Sequence, residues 1–272
     1  CPADIVVSTD PGVCEAEVEI DIPLTSDNCG VESVVNDYTN IEDASGTYPE
    51  GTTTVIYTVT DESGNETTCS FTVTVEDNEA PELECPDLLS VVLDEECEGM
   101  IPDFQDSITV SDNCTDQSEI TYSQSPEAGV LIEGVDTVIV VIMVMDSSGN
   151  TSTCEVEVIY EDETAPELTC PDDLEEAVDV NCEYEVPDFT GQAIVTDNCA
   201  NSSEIILTQA PAAGETLEGV GEYTITITAS DSSGNSTVCT FTLELIDDIA
   251  PEITCPADIV VSTDPGVCEA EV

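Results

Sequence analysis

Two kinds of side chain in this 272-residue chain are spaced to do chemistry, cysteine and carboxylate. The 14 cysteines recur four at a time: Cys1, Cys14, Cys29 and Cys69, then Cys85, Cys97, Cys114 and Cys154, then Cys170, Cys182, Cys199 and Cys239, with Cys255 and Cys268 opening a further set. No C-x-x-C pair occurs and histidine is absent, so the expected use is disulfide formation in an oxidising exterior rather than zinc binding. The 62 Asp and Glu stand against no Lys, Arg or His. That absence excludes phosphate and nucleic-acid binding through basic side chains, imidazole catalysis and Schiff-base chemistry. What is left to the carboxylates is the binding of hard cations through oxygen.

The acids gather at three kinds of place. The runs Glu76-Asp77-Asn78-Glu79, Glu161-Asp162-Glu163 and Asp247-Asp248 each stand just ahead of an Ala-Pro-Glu. The tripeptide Asp-Asn-Cys recurs at 27–29, 112–114 and 197–199, and an Asp-x-Ser-Gly-Asn turn begins at Asp61, Asp146 and Asp231. If each run meets the two loops of the following repeat, one junction gathers Asp77, Glu79, Asp112, Asn113, Asp146 and Asn150. The next gathers Asp162, Glu163, Asp197, Asn198, Asp231 and Asn235. Each set offers about the six to eight oxygens that calcium takes. The competing account is local, since Asp and Asn favour turns by bonding nearby backbone. The remaining acids need only be solvated. Their repulsion is screened over roughly 10 Å at 0.1 M salt, so saline or calcium-rich surroundings suit the chain.

The elements that carry these groups are strands. Hydrophobic residues make up 40% of the chain, with Val, Ile and Thr in short runs bounded by Gly, Pro, Asn and Asp. In Ser70–Val75, Phe71, Val73 and Val75 alternate with Ser and Thr, which buries one face and wets the other. Ser-Gly-Asn at 63–65, 148–150 and 233–235 and Cys-Pro at 1, 85, 170 and 255 set a tandem period of about 85 residues. The expected boundaries are 1–79, 80–164, 165–249 and 250–272. Residues 1–18 return letter for letter at 255–272, so a block of 254 residues begins again there. Each repeat reads as a seven-strand sandwich of the immunoglobulin type, and the whole as an all-β, disulfide-bonded tandem array. In repeat 1 the strands are expected at 4–9, 15–22, 31–36, in short pieces across 45–50, at 53–60 and at 67–75. No run approaches 18 apolar residues, so no membrane span is expected. The chain is expected to be a segment of a longer secreted protein whose targeting signals lie outside it.

Cys1-Pro2, the Pro23–Asn28 loop, Gly51 to Asn65 and Thr68 to Val73 together resemble the hyalin repeat (HYR) domain, and the resemblance extends over the whole chain. It implies immunoglobulin-like extracellular modules used in adhesion, here in a large repetitive surface protein of bacterial type, with no enzymatic activity. The missing bases and the letter-for-letter block depart from the family pattern. The family's commonest disulfide implies Cys1–Cys69, Cys85–Cys154 and Cys170–Cys239, leaving Cys14–Cys29, Cys97–Cys114 and Cys182–Cys199. That second set sits uneasily with strand geometry, because about 15 residues of mostly extended chain separate partners that must lie within ~7 Å. A competing scheme pairs Cys29 with Cys69 and staples Cys14 to Cys85 across the junction.

One strand breaks the alternation. The outward positions are Thr54, Ile56, Thr58 and Thr60 in repeat 1, and Thr224, Thr226, Thr228 and Ser230 in repeat 3. Repeat 2 has Ile139, Val141, Met143 and Met145 there, with Ile159 replacing Thr74 on the neighbouring strand. A strand apolar on both faces has something covering the second one, either a local loop or another chain. The second reading gives identical chains side by side, repeated once per block.

The function expected from these features is a structural rod segment of a long extracellular filament, stalk or appendage. Its cohesion would come from disulfides, calcium, contacts between adjacent repeats and lateral self-association. The alternative is an acidic ligand- or mineral-binding surface matrix. With no Trp, 7 Tyr and 4 Phe, aromatic platforms for sugar are not expected. Absence of Lys and Arg also removes every site for trypsin-like proteases. Asn65, Asn150 and Asn235 match glycosylation sequons, but the Ser-Gly-Asn turn already accounts for them.

Overall fold

The structure, a computed structural model, describes residues 1–262, 265 and 266. It is all-β, and among the described residues the only helical element is a 3-10 turn at Thr190–Gln192. Two compact units result, Cys1–Glu163 and Thr164–Val272. Repeats 1 and 2 lie in the first and repeat 3 in the second.

In repeat 1 the main sheet runs in the order Ile5–Ser8, Glu66–Glu76, Gly51–Asp61, Val31–Asn36. The first strand lies parallel to the last, and the remaining pairs are antiparallel. A two-stranded ribbon, Glu15–Val18 with Gly46–Pro49, supplies Ala16, Val18 and Tyr48 to the core shared with the main sheet. Repeats 2 and 3 keep this plan, with main sheets built around the hairpins Asp136–Met145/Thr151–Glu161 and Gly221–Ser230/Ser236–Ile246. Each adds a second ribbon, Glu82–Glu84 with Thr109–Ser111 and Glu167–Thr169 with Ile194–Thr196. The expected seven strands thus become six in repeat 1 and eight in repeats 2 and 3. Glu15–Ile22 was too long, because the strand ends at Val18 where the ribbon runs out of partner at Gly46.

Alternation sets the cores. Val55, Tyr57, Val73 and Val75 of repeat 1, Val140, Ile142, Val144, Val156 and Val158 of repeat 2, and Ile225, Ile227, Leu243 and Leu245 of repeat 3 are all buried. Burial of each such side chain stabilises by roughly 1.5–3 kcal/mol. Gly99 is required by packing, since a Cβ there would stand 2.7 Å from the Tyr160 ring.

Cys1–Cys69, Cys85–Cys154 and Cys170–Cys239 are bonded, tying the start of each repeat to its last strand. The rest of both pairing schemes is corrected. Cys14 bonds neither Cys29 nor Cys85; its partner is Cys114, 100 residues on. Cys114 is therefore closed to Cys97, and Cys69 to Cys29. Cys29, Cys182 and Cys255 are exposed free thiols, which removes Cys182–Cys199. The reason is geometric: Cys14 follows the first turn, at the end of its repeat that faces repeat 2. Its own Cys29 sits beyond the second strand, in the loop before Val31. Cys268 lies outside the described residues.

Candidate metal centre

Repeats 1 and 2 meet within the first unit, and there Asp77, Asp112 and Asp146 come together. One carboxylate oxygen from each lies within 4.8 Å of the others. Asp77 leaves the last strand of repeat 1 at Glu76, while Asp112 follows the ribbon strand Thr109–Ser111 and Asp146 follows Asp136–Met145. Two strand ends of repeat 2 therefore carry acids to the point where repeat 1 ends.

Local hydrogen bonds aim the carboxylates. Asp77 Oδ1 accepts from Glu79 N at 3.2 Å. Asp112 Oδ1 accepts from Cys114 N and Thr115 N at 3.0 and 2.8 Å. Asp146 Oδ1 accepts from Asn150 N, and its Oδ2 from Asn150 Nδ2 at 2.9 Å. The second oxygens of Asp77 and Asp112 are buried without a hydrogen-bond partner, and so is Asn113 Oδ1. Turn chemistry thus accounts for one oxygen of each of the first two carboxylates and leaves the other directed inward.

Electrostatics make this costly. Asp77 and Asp146 are only 5% and 3% exposed. Two carboxylates at such separations repel by roughly 3–4 kcal/mol at an effective dielectric constant near 20. Burial lifts the Asp77 pKa above its ordinary 3.8, and the charges of Asp112 and Asp146 add to the rise. No cationic side chain exists in the sequence to neutralise them.

The loops around the cluster are fastened across the junction. Asn150 Nδ2 donates to Asp77 O, Asn113 Nδ2 to Val13 O, and the hydroxyls of Thr115 and Ser147 lie 2.8 Å apart. Cys14–Cys114 closes one side. Glu79 turns back onto repeat 1, its Oε2 accepting from Gly12 N at 2.9 Å. Neither this disulfide nor the contacts of the first turn, through Gly12 and Val13, with the junction follow from the sequence expectations. The available signal was the position of Asp-Asn-Cys, whose cysteine must follow its aspartate into the junction.

Asp162 and Glu163 end the first unit. In the second, Asp197 Oδ1 accepts from Cys199 N and Ala200 N. Asp231 Oδ1 accepts from Gly234 N and Asn235 N, and its Oδ2 from Asn235 Nδ2. These are the turn bonds seen at Asp112 and Asp146. The amides of Asn150 and Asn235, read as sequons, are thus engaged within their turns.

Away from the junction, Ile139, Val141, Met143 and Met145 alternate with buried Val140, Ile142 and Val144 and are 38–47% exposed. Ile159 is half-buried beside them, and no loop of the first unit covers this face. Leu88 and Val92, on the parallel neighbouring strand, are also exposed, but Glu157 and Glu161 stand between them and the stripe.

The HYR domain profile matches residues 1–75 and 161–245. Hyalin of the sea urchin Strongylocentrotus purpuratus is 27% identical over 98% of this chain, and hyalin of Lytechinus variegatus is 30% identical over 78%. The chain spans 22% and 40% of those two proteins. Both relatives are animal proteins, so the bacterial type expected from the sequence gains no support here. Among solved structures, mouse clustered PcdhgC3 EC1-3 aligns with 79% of this chain and 89% of its own, at 14% identity and a TM-score of 0.34.

Proposed function

The chain belongs to the HYR domain family, and from that premise we propose that it is a calcium-stiffened structural segment of a long, repetitive, extracellular adhesion protein. The extracellular setting itself follows from the family, the hyalin relatives and the disulfides. The observation that carries the calcium reading is the set of buried, unpartnered oxygens of Asp77, Asp112 and Asn113 beside Asp146. Burying carboxylates with an oxygen left unpartnered is costly, and a proton or an external cation would relieve that cost where no basic side chain exists.

The donor set selects the cation. It consists of oxygen alone, and the thiols nearest to it are locked in Cys14–Cys114, which disfavours zinc. Ligand atoms around one calcium at 2.3–2.6 Å stand within about 5 Å of one another, as these do. Magnesium demands stricter octahedral geometry and keeps more of its water. Calcium at this point would join the end of repeat 1 to two loops of repeat 2, and so resist hinging between them.

Calorimetric titration of the chelator-stripped chain with calcium chloride tests the reading. Saturable binding is expected, and Asp77→Asn with Asp146→Asn is expected to weaken it at least tenfold. Heats no larger than buffer dilution would overturn it.

The same reading assigns the exposed face of Ile139, Val141, Met143 and Met145 to lateral contact with identical chains. Each 254-residue block would present this face once, so weak contacts would add along the array. Replacing Met143 and Met145 by Thr, as at Thr58 and Thr60 of repeat 1, is expected to leave folding intact and weaken side-by-side association about tenfold or more. Sedimentation over a concentration series reads the outcome. Unchanged association would remove this face from the assembly.

A further inference from the structure

Among the described residues three thiols are free, and two of them match the bonded cysteines of one junction. Cys182 is the repeat-3 counterpart of Cys14, and Cys29 is the repeat-1 counterpart of Cys114. Cys14 and Cys114 bond each other, and Cys97 and Cys199, the remaining counterparts, are also disulfide-bonded. Cys182 and Cys29 thus match Cys14 and Cys114 in position, and both are free.

The surroundings match as well as the positions. Cys182 holds a left-handed backbone, φ 63°, as Cys97 does at 60°. Cys182 N donates to Asp179 O, as Cys97 N does to Asp94 O, both at 3.0 Å. Cys182 lines an open cleft with Asp179, Asp247, Ile249 and Pro251. Asp247 is the counterpart of Asp77 and makes the same local bond, accepting from Ile249 N at 3.0 Å, but it is exposed where Asp77 is buried.

At the other end, Asp27 Oδ1 accepts from Cys29 N at 2.7 Å, as Asp112 does from Cys114 N. Asp61 holds the Asn65 backbone and amide as Asp146 holds those of Asn150. Asp27, Asp61 and Asn65 line a second open cleft. One end of the array thus offers a thiol and a linker carboxylate. The other offers a thiol and two loop carboxylates. Combined, they contain counterparts of the Cys14–Cys114 pair and of the three carboxylates beside it, while the Thr115–Ser147 hydroxyl pair is replaced by Gly30 and Glu62.

We propose that successive 254-residue blocks are joined by a disulfide between Cys182 of one block and the counterpart of Cys29 in the next, with Asp247, Asp27 and Asp61 gathered beside it. Residues 255–272, identical to 1–18, begin that next block. Closure forms one S–S bond. Each thiol releases a proton, and the two electrons reduce a small-molecule disulfide oxidant to two thiols. The bond rests on the repeat pattern and not on the calcium reading, since the two ends are matched by position and local hydrogen bonding.

A two-block chain, residues 1–254 followed by 1–272, tests this without substitution. Folded in a glutathione redox buffer and alkylated under denaturing, non-reducing conditions, it is expected to carry the same number of reactive thiols as the single chain. Two more reactive thiols than the single chain would overturn the proposal. A Glu-specific protease, needed because no Lys or Arg is present, should release a linked peptide holding Cys182 of the first block and Cys29 of the second. Linkage of either to another cysteine would overturn it equally. Linked Cys1–Cys69 and Cys170–Cys239 peptides in the same digest report that the repeats have folded. Running the test in EDTA and in calcium separates the two readings, for linkage in both with no calcium binding would sink the cation site alone.

Discussion

Chelation is expected to lower the thermal midpoint of the first unit by roughly 5–10 °C at neutral pH. With free calcium at about 100 times its dissociation constant, binding to the folded state alone contributes about 2.7 kcal/mol. For a unit of this size each kcal/mol moves the midpoint by about 2–4 °C. The Asp77–Asp112–Asp146 cluster adds a pH dependence of its own to that of the other acids. In the cation-free protein the pKa of Asp77 stands above its ordinary 3.8, because burial and two neighbouring carboxylates oppose its charge. A raised folded-state pKa means that protonation favours folding. The stabilisation is present at acid pH and is lost as pH rises through the raised value. Protein in EDTA should therefore lose midpoint as pH rises through that raised value, while protein in calcium loses its advantage on acidification as protons displace the ion. Differential scanning calorimetry at several pH values reads both trends. A midpoint indifferent to chelator, or an EDTA form that gains stability with rising pH across that range, would count against the site.

The second large effect belongs to Cys14–Cys114. A disulfide closing a loop of about 100 residues stabilises by up to about 4.7 kcal/mol in the chain-entropy account. Replacing both cysteines by serine, which leaves no stray thiol, is expected to cost about 2–5 kcal/mol in urea unfolding. Calcium affinity should fall in the same variant. Asp77 belongs to repeat 1 and Asp112 and Asp146 to repeat 2, so the staple raises the local concentration of one half of the site near the other. A variant that matched the parent in both stability and calcium affinity would show that the junction holds together without the bond. Cys1–Cys69 and Cys85–Cys154 stay intact throughout, so each repeat keeps its own closure.

Much of this architecture was legible in residue types. Phe71, Val73 and Val75 announced their strand through period-two alternation, and their burial follows it. The outward stripe of Ile139, Val141, Met143 and Met145 was legible for the same reason, since alignment with the other repeats fixed which face each residue takes. The gathering of Asp77, Asp112 and Asp146 could be read because tandem repeats place the end of one sandwich against the loops of the next. The ribbon Glu82–Glu84 with Thr109–Ser111 could not, for three-residue strands carry too little periodicity to stand out from turns. Cys14–Cys114 escaped because the partner expected for Cys14 across the junction was Cys85, which instead closes its own repeat with Cys154, whereas Cys114 follows Asp112 into the junction. The inward aim of Asp77 Oδ2 was hidden too, since it depends on the Glu79 N–H holding the other oxygen.

The absence of every basic residue has a narrower meaning at the junction than over the whole surface. Exposed acids on outward strand positions are solvated and screened. Asp77 and Asp146 are not, and no side chain of their own protein can neutralise them. The cohesion of the array is therefore assigned to apolar cores, disulfides and borrowed cations. Crystals of the chain grown in calcium and measured for anomalous scattering test that assignment most directly. The account predicts a calcium peak about 2.3–2.6 Å from Asp77 Oδ2 and Asp112 Oδ2, with Asp146 and Asn113 in the same coordination shell. Density showing Asp77 protonated against a neighbouring carboxylate, with no ion in the cluster, would contradict it.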